Sequence, residues 1–214
     1  MDIAALPTKG ERTRAHIVAV AAALFWQRNF HGVSVDMVAD AAKVNKATIY
    51  RYFADKGDLA LAVVRYNGAI TIETIFASNF DVYAAPQDRL AAIYRFAYGA
   101  HVATHDETGD VYGCPIVGLA QELGQDMPEI RKEAQQIFDQ VEDYLTIIAR
   151  DAIAARALDQ DAAILGRTLT QLLHGAFASA RVAAAPSRML DAGNASLALI
   201  GYPDTEILAQ GTCP

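Results

Sequence analysis

The chain has 214 residues, 53% of them hydrophobic and 20% charged, which is the make-up of a folded protein rather than a disordered one. Its net charge of −7 is unevenly spread: residues 1–60 hold eight Lys/Arg against six Asp/Glu, and the remainder ten against nineteen. An acidic body is repelled by phosphate, so contact with nucleic acid falls to the mildly basic first sixty residues. No run of about 18 apolar residues occurs, so neither a transmembrane span nor a membrane partner is expected. Met1 to Gly10 lacks a basic-then-apolar export pattern, and two distant cysteines, Cys114 and Cys213, form neither a disulfide framework nor a zinc ligand set. A cytoplasmic protein is expected.

Helix signals run the length of the chain. Thr8 and Glu11 stand at capping-box spacing, and Ile17, Val20, Ala21, Leu24 and Phe25 follow on one face. Asn29-Phe30-His31-Gly32 ends this helix. Ser34 then caps a short second one with Val35, Val38, Ala39 and Ala42 inward. Lys43-Val44-Asn45 turns into a third, Lys46 to Tyr52, and Asp55 with Asp58 opens a fourth through Tyr66 towards Phe80. Pro86 starts a helix past Tyr94, Tyr98 and His101, with a polar loop expected over His105 to Gly113. Short Pro115–Leu123 and long Pro128 onward follow, the latter with Ile130, Ala134, Ile137, Phe138, Val141, Leu145 and Ile148 on one face. Asp159 or Asp161 opens a helix carrying Leu165, Leu169, Leu173, Phe177 and Ala180, and a last helix spans roughly Ser187 to Ile200. No strand pattern is found. The fold class is all-α, divided as 1–54, 55–206 and a flexible tail over 207–214.

Two short helices joined by a tight turn, with the first helix packed behind them, form a helix-turn-helix. On the third helix Ile49 points inward together with Phe53, while Lys46, Ala47, Tyr50 and Arg51 fall outward with Thr48 on the flank. Donors, a phenol and a small methyl suit the major groove; a plain solvated helix face has the same composition.

Residues 12–60 resemble the TetR family of transcriptional regulators. The stretch Phe30 to Lys56 carries the likeness, and Thr48-Ile49-Tyr50-Arg51-Tyr52-Phe53 followed by Asp55-Lys56 is its most specific part. The resemblance implies that Lys46, Ala47, Thr48, Tyr50 and Arg51 face bases and nearby phosphates. It also implies that Ser34, Lys43, Tyr52 and Lys56 hold the backbone, with Thr8, Lys9 and Arg12 extending along it. The expected partner is double-stranded DNA carrying a palindromic operator, bound by a homodimer that pairs through the last two long helices. Three positions depart from the family pattern. Lys43 replaces a turn glycine, which costs on the order of 1 kcal/mol if φ is positive there. Asn45 replaces a Ser or Thr cap, and Gly57 replaces an acidic residue.

The remainder resembles the family in helical architecture, as a larger C-terminal bundle for ligand binding and dimerisation. Tyr66, Tyr94, Tyr98, His101, Cys114, Val117, Phe138, Tyr144 and Phe177 are the candidate lining for a small organic effector. Aromatic residues at helical spacing equally fit plain core. His101 and His105 stand at a metal-ligand spacing but lack a third clear ligand, so neither a metal nor another cofactor is expected. Gly113-Cys114-Pro115 through Glu122-Leu123 resembles a Gly-Cys segment of one branch of these regulators. Cys114 there reads either as an electrophile or redox sensor or as a small packing thiol. A ligand-released repressor is the leading expectation, with a ligand-dependent activator or co-repressor as the alternative. A helical metal-dependent enzyme is remote: no nucleophile-elbow, P-loop, dinucleotide-glycine or His-Glu-x-x-His motif occurs.

Overall fold

The computed structural model describes residues 6–208. Among these, every regular element is helical: α1 (Lys9–Arg28), α2 (Val35–Ala41), α3 (Lys46–Tyr52), α4 (Lys56–Ile70), a π-helical segment (Thr71–Ala77), α5 (Ser78–Val82), α6 (Pro86–Thr108), α7 (Pro115–Leu123), α8 (Pro128–Arg156), α9 (Ala162–Ala183) and α10 (Arg188–Leu199). The caps read from sequence are made. Thr8 Oγ1 accepts from the Glu11 amide at 3.2 Å while Glu11 accepts from the Thr8 amide at 2.7 Å. Ser34, Asn45, Asp55 and Asp161 each accept a backbone N–H three residues on, satisfying donors that a helix start leaves without partners.

The chain forms two compact units. The first reaches past the expected boundary at residue 54. It holds the chain up to Gly68 together with Pro115–Ala134. Its core is Ile17, Ala21 and Phe25 of α1, Val38 and Ala39 of α2, Ile49 of α3, Phe53, and Leu59, Val63 and Val64 of α4. Burying each large aliphatic side chain contributes about 1.5–3 kcal/mol. Met127 lies against Gly57, where a Cβ would stand 2.5 Å from its Cε; the missing acidic side chain of α4 makes room for this methionine.

The second unit comprises Ala69–Cys114 and the chain from Gln135 onward. Leu90, Ile93, Tyr94 and Ala97 of α6 pack with Val141, Leu145 and Ile148 of α8, Leu165, Leu169 and Leu173 of α9, and Met189 and Leu197 of α10. Glycines permit close approach: Gly166 backs onto Thr146, and Gly193 onto Tyr94 and Ile207. Ile207, the first residue of the expected tail, is itself buried, and its carbonyl accepts from Arg95 Nε at 3.1 Å. Residues 209–214, including Cys213, lie outside the described residues.

One expectation needs correcting. The polar stretch from His105 continues α6 instead of leaving it: Thr104 and Thr108 hydroxyls donate back to backbone carbonyls, and the helix stops only at Gly109, whose φ of 74° ends it. A polar run is a solvated helix face until a glycine terminates it. The continuous helix over 56–82 also has the length and composition of a membrane span, with a mean hydropathy of 1.3 over its most apolar window. Leu59, Ala60, Ala62, Val63 and Val64 on it are buried in the first unit.

Candidate nucleic-acid interface and effector region

The helix-turn-helix is built by local rules. α2 ends at Ala41 with Ala42 as its cap, after which Lys43 adopts φ 54°, and the Val44 amide returns to the Ala39 carbonyl at 3.0 Å. This is the left-handed turn that glycine ordinarily fills, so the lysine sits in the strained region its sequence position implied. Asn45 Oδ1 then accepts from both the amide (2.7 Å) and the hydroxyl (2.8 Å) of Thr48, fixing the start of α3 and turning the threonine hydroxyl towards its cap. Ile49 and Phe53 are buried, which leaves Lys46, Ala47, Tyr50 and Arg51 exposed together on the opposite side.

Several of the expected contact groups are already engaged within the unit. Lys46 Nζ donates to Asp36 Oδ2 at 2.9 Å, and this hydrogen bond and the carboxylate's charge hold the ammonium above its ordinary pKa. Arg51 lies over the Tyr52 ring at 4.9 Å and donates to its hydroxyl at 3.1 Å. Lys56 Nζ donates to the Phe30 carbonyl at 2.6 Å and sits 3.9 Å from the Phe30 ring centroid; burial pushes its pKa down, opposed by the charge of Glu122. The Lys56 ammonium therefore serves the turn after α1. Tyr50, 48% exposed, is the large apolar group that α3 presents outward.

The candidate effector residues divide. Tyr66 and Val117 belong to the first unit and the other candidates to the second. Tyr94 is core: its hydroxyl lies 2.8 Å from Ser196 Oγ, and burial raises its pKa to about 12. His101 is buried, with Nδ1 2.7 Å from the Ala97 carbonyl and its ring 5.3 Å from Phe177. Phe138 meets His174 edge-on at 4.5 Å, while Tyr144 contacts Phe76 and Phe80 at 5.6 and 4.9 Å. Tyr98 is half-buried against the same core, and Cys114 is half-buried immediately before α7. Sequence reading missed His174, although it lies three residues before Phe177 and so shares its helix face. A separate groove of about 360 Å³ runs between α9 and α10, lined by Gln171, Gly175, Ser179, Arg188 and Asp191, and contains none of the expected lining. Among the described residues, no three His, Cys, Asp or Glu side chains are placed to hold a metal ion.

Two short helices joined by a left-handed turn, with a helical bundle following, define a helix-turn-helix protein with a separate helical domain. The chain belongs to the TetR family. Residues 17–63 match the model of the tetR family of bacterial regulatory proteins, and residues 86–195 that of the tetracyclin repressor-like C-terminal domain. Among its relatives, the transcriptional regulator AcuR of Cereibacter sphaeroides is 27% identical over 135 residues, 63% of this chain and 60% of that protein. An uncharacterized HTH-type transcriptional regulator of Lactococcus lactis is 23% identical over 130 residues, 61% and 64% of the two chains. The match thus spans less than two thirds of these curated relatives. Similar solved structures include a TetR-family regulator from Agrobacterium tumefaciens, with TM-score 0.78, 21% identity and 89% and 98% of the two chains covered. The reduced form of Escherichia coli NemR gives TM-score 0.76 at 20% identity, covering 91% and 100%.

Proposed function

We propose that this chain is a dimeric, effector-released transcriptional repressor acting in the cytoplasm on a palindromic DNA operator. The observation that carries this is the exposed face of α3, where Lys46, Ala47, Tyr50 and Arg51 stand together while Ile49 anchors the helix from behind. A short helix held rigidly at its cap, with donors and a phenol outward, fits a major groove. Lys43, Ser34 and Tyr52 flank that face as backbone contacts. Arg51 is the strongest candidate base reader, since stacking on Tyr52 pre-orients its guanidinium.

The dimer forms through the outward faces of α9 and α10. Ile164 and Val182, near the two ends of α9, are 62% and 90% exposed, and such apolar groups are available to a second copy. The effector is a small, mostly apolar organic molecule taken up beside Tyr98, His101, Phe138, Tyr144 and Phe177, binding the released state better than the DNA-bound one. Enzymatic activity forms no part of this reading.

Selection of bound sequences from random DNA, followed by mobility shift, tests the proposal. A palindrome bound by the apo dimer supports it, and failure of the apo dimer to bind any sequence rejects it. Binding that requires effector replaces repression by release with co-repressor or activator action. A second reading, sensing at the Cys114 thiol, is favoured by its place directly before α7. It predicts that an alkylating electrophile releases the wild type but not Cys114→Ser.

A further inference from the structure

The turn between α1 and α2 is held by a residue about ninety positions away. Past the end of α1, Asn29 adopts φ 60°, and Gly32 has no room for a Cβ against the Arg28 carbonyl. The amides of Phe30 and His31 fall in this turn. Both donate to Glu122 of α7, Phe30 to Oε2 and His31 to Oε1, each at 2.8 Å. The His31 ring nitrogen lies 3.8 Å from the same carboxylate, and Lys56 closes the knot from the Phe30 carbonyl and ring. At its other end the α7–α8 connection seats Met127 over Gly57 at the start of α4. α7 and the connection after it are therefore held to the rest of the first unit at two places. Glu122 also gives a purpose to the Gly113–Leu123 segment, which the helix-turn-helix alone leaves unexplained.

We propose that Glu122 is a positioning residue for operator binding: its carboxylate fixes the Phe30-His31 turn and so sets how α2 and α3 are presented to DNA. This rests on the reading of the first unit as an operator-binding head. A carboxylate accepting two N–H groups with separate oxygens makes two charge-assisted hydrogen bonds, and no neutral side chain of that length replaces both. The turn leads directly into Ser34 and α2, so a loosened turn leaves the α2–α3 pair folded yet freer in orientation.

The test compares full-length wild type, Glu122→Gln and Glu122→Ala. Amide exchange is read at Phe30 and His31, operator affinity is read across a salt series, and the active fraction comes from stoichiometric titration. In Glu122→Ala both amides should exchange faster and affinity should fall about tenfold, with a shallower salt dependence as phosphate contacts are lost. Glu122→Gln, which keeps one acceptor oxygen and the shape, should fall between and covers the case in which the alanine variant fails to fold. A merely structural role would lower the active fraction while leaving affinity and salt slope of the remaining protein unchanged, and that result overturns the proposal. So does wild-type affinity in Glu122→Ala. If wild type binds no DNA, the operator reading and this proposal fall together, whereas the amide exchange separately reports whether the clamp exists.

Discussion

Lys46 Nζ and Asp36 Oδ2 lie 2.9 Å apart, so the first residue of α3 is tied to the first turn of α2 across the turn that joins them. Both side chains are largely in water, and such a pair adds little to stability. Its consequence is electrostatic. A carboxylate sits on the face that would meet phosphate and shares the charge of the cation expected to reach DNA. Asp36→Asn should therefore raise operator affinity about three- to tenfold at low salt and steepen the log–log salt slope by about one. Melting temperature should hardly move. Mobility shift across a salt series checks this; a loss of affinity would mean instead that Asp36 orients Lys46 for its contact.

Lys43 makes the opposite trade. At φ 54° its Cβ crowds the following backbone, and glycine there would relieve about 1 kcal/mol, less some loss from a more flexible unfolded chain. Lys43→Gly should thus be neutral to about 1 kcal/mol more stable in urea unfolding. It should nonetheless bind operator several-fold more weakly, through loss of a phosphate-facing ammonium. Stability and affinity moving together in either direction would refute the view that lysine is kept there for DNA.

What the sequence made legible follows from distance along the chain. Thr8 with Glu11, Ser34, Asn45 with Thr48, and Asp55 with Asp58 act within one helical turn, so spacing alone discloses them. The outward face of α3 was equally readable, because two buried anchors, Ile49 and Phe53, set the helix phase. Glu122 on Phe30 and His31 was not: the partners are 91 and 92 residues apart, and nothing in either local pattern points to the other. For the same reason Lys56 read as a phosphate contact, whereas its ammonium turns onto Phe30. The π-helical Thr71–Ala77 was hidden too. Four β-branched residues weaken helix there without stating a register, and the Ser78 hydroxyl (2.5 Å) and the Asn79 amide satisfy the Thr74 and Ile75 carbonyls from the side chains.

Gly175 offers a clean test of the dimer seam. A Cβ at this α9 position would meet nothing within 4 Å in the protomer, so a larger side chain is tolerated by the fold itself. Arginine is a better helix former than glycine by up to about 1 kcal/mol, and Gly175→Arg should leave protomer helicity intact or improved. If α9 and α10 form the interface, the same change places a charged side chain in it, and sedimentation should show monomer where wild type is dimer. Operator binding at nanomolar protein should be lost with it. A variant that remains dimeric would move the seam elsewhere.

His174 predicts a pH dependence that belongs to the second unit. Its ring lies 4.5 Å from Phe138, and burial pushes its pKa below the ordinary value of 6.5. In the unfolded chain the imidazole protonates near 6.5, while in the folded chain it stays neutral to lower pH. The unfolded state therefore binds more protons in that window, so stability is fully present above about pH 6.5. It declines as the pH falls towards the folded pKa and levels off below it. His174→Gln, neutral throughout, should lose this limb of the curve, so the wild-type-minus-variant difference in urea midpoint should shrink between pH 7 and pH 5. Other titrating groups are common to both proteins and cancel in that difference. Parallel curves would show that the imidazole protonates equally easily folded and unfolded, and that the Phe138–His174 contact does not exclude water.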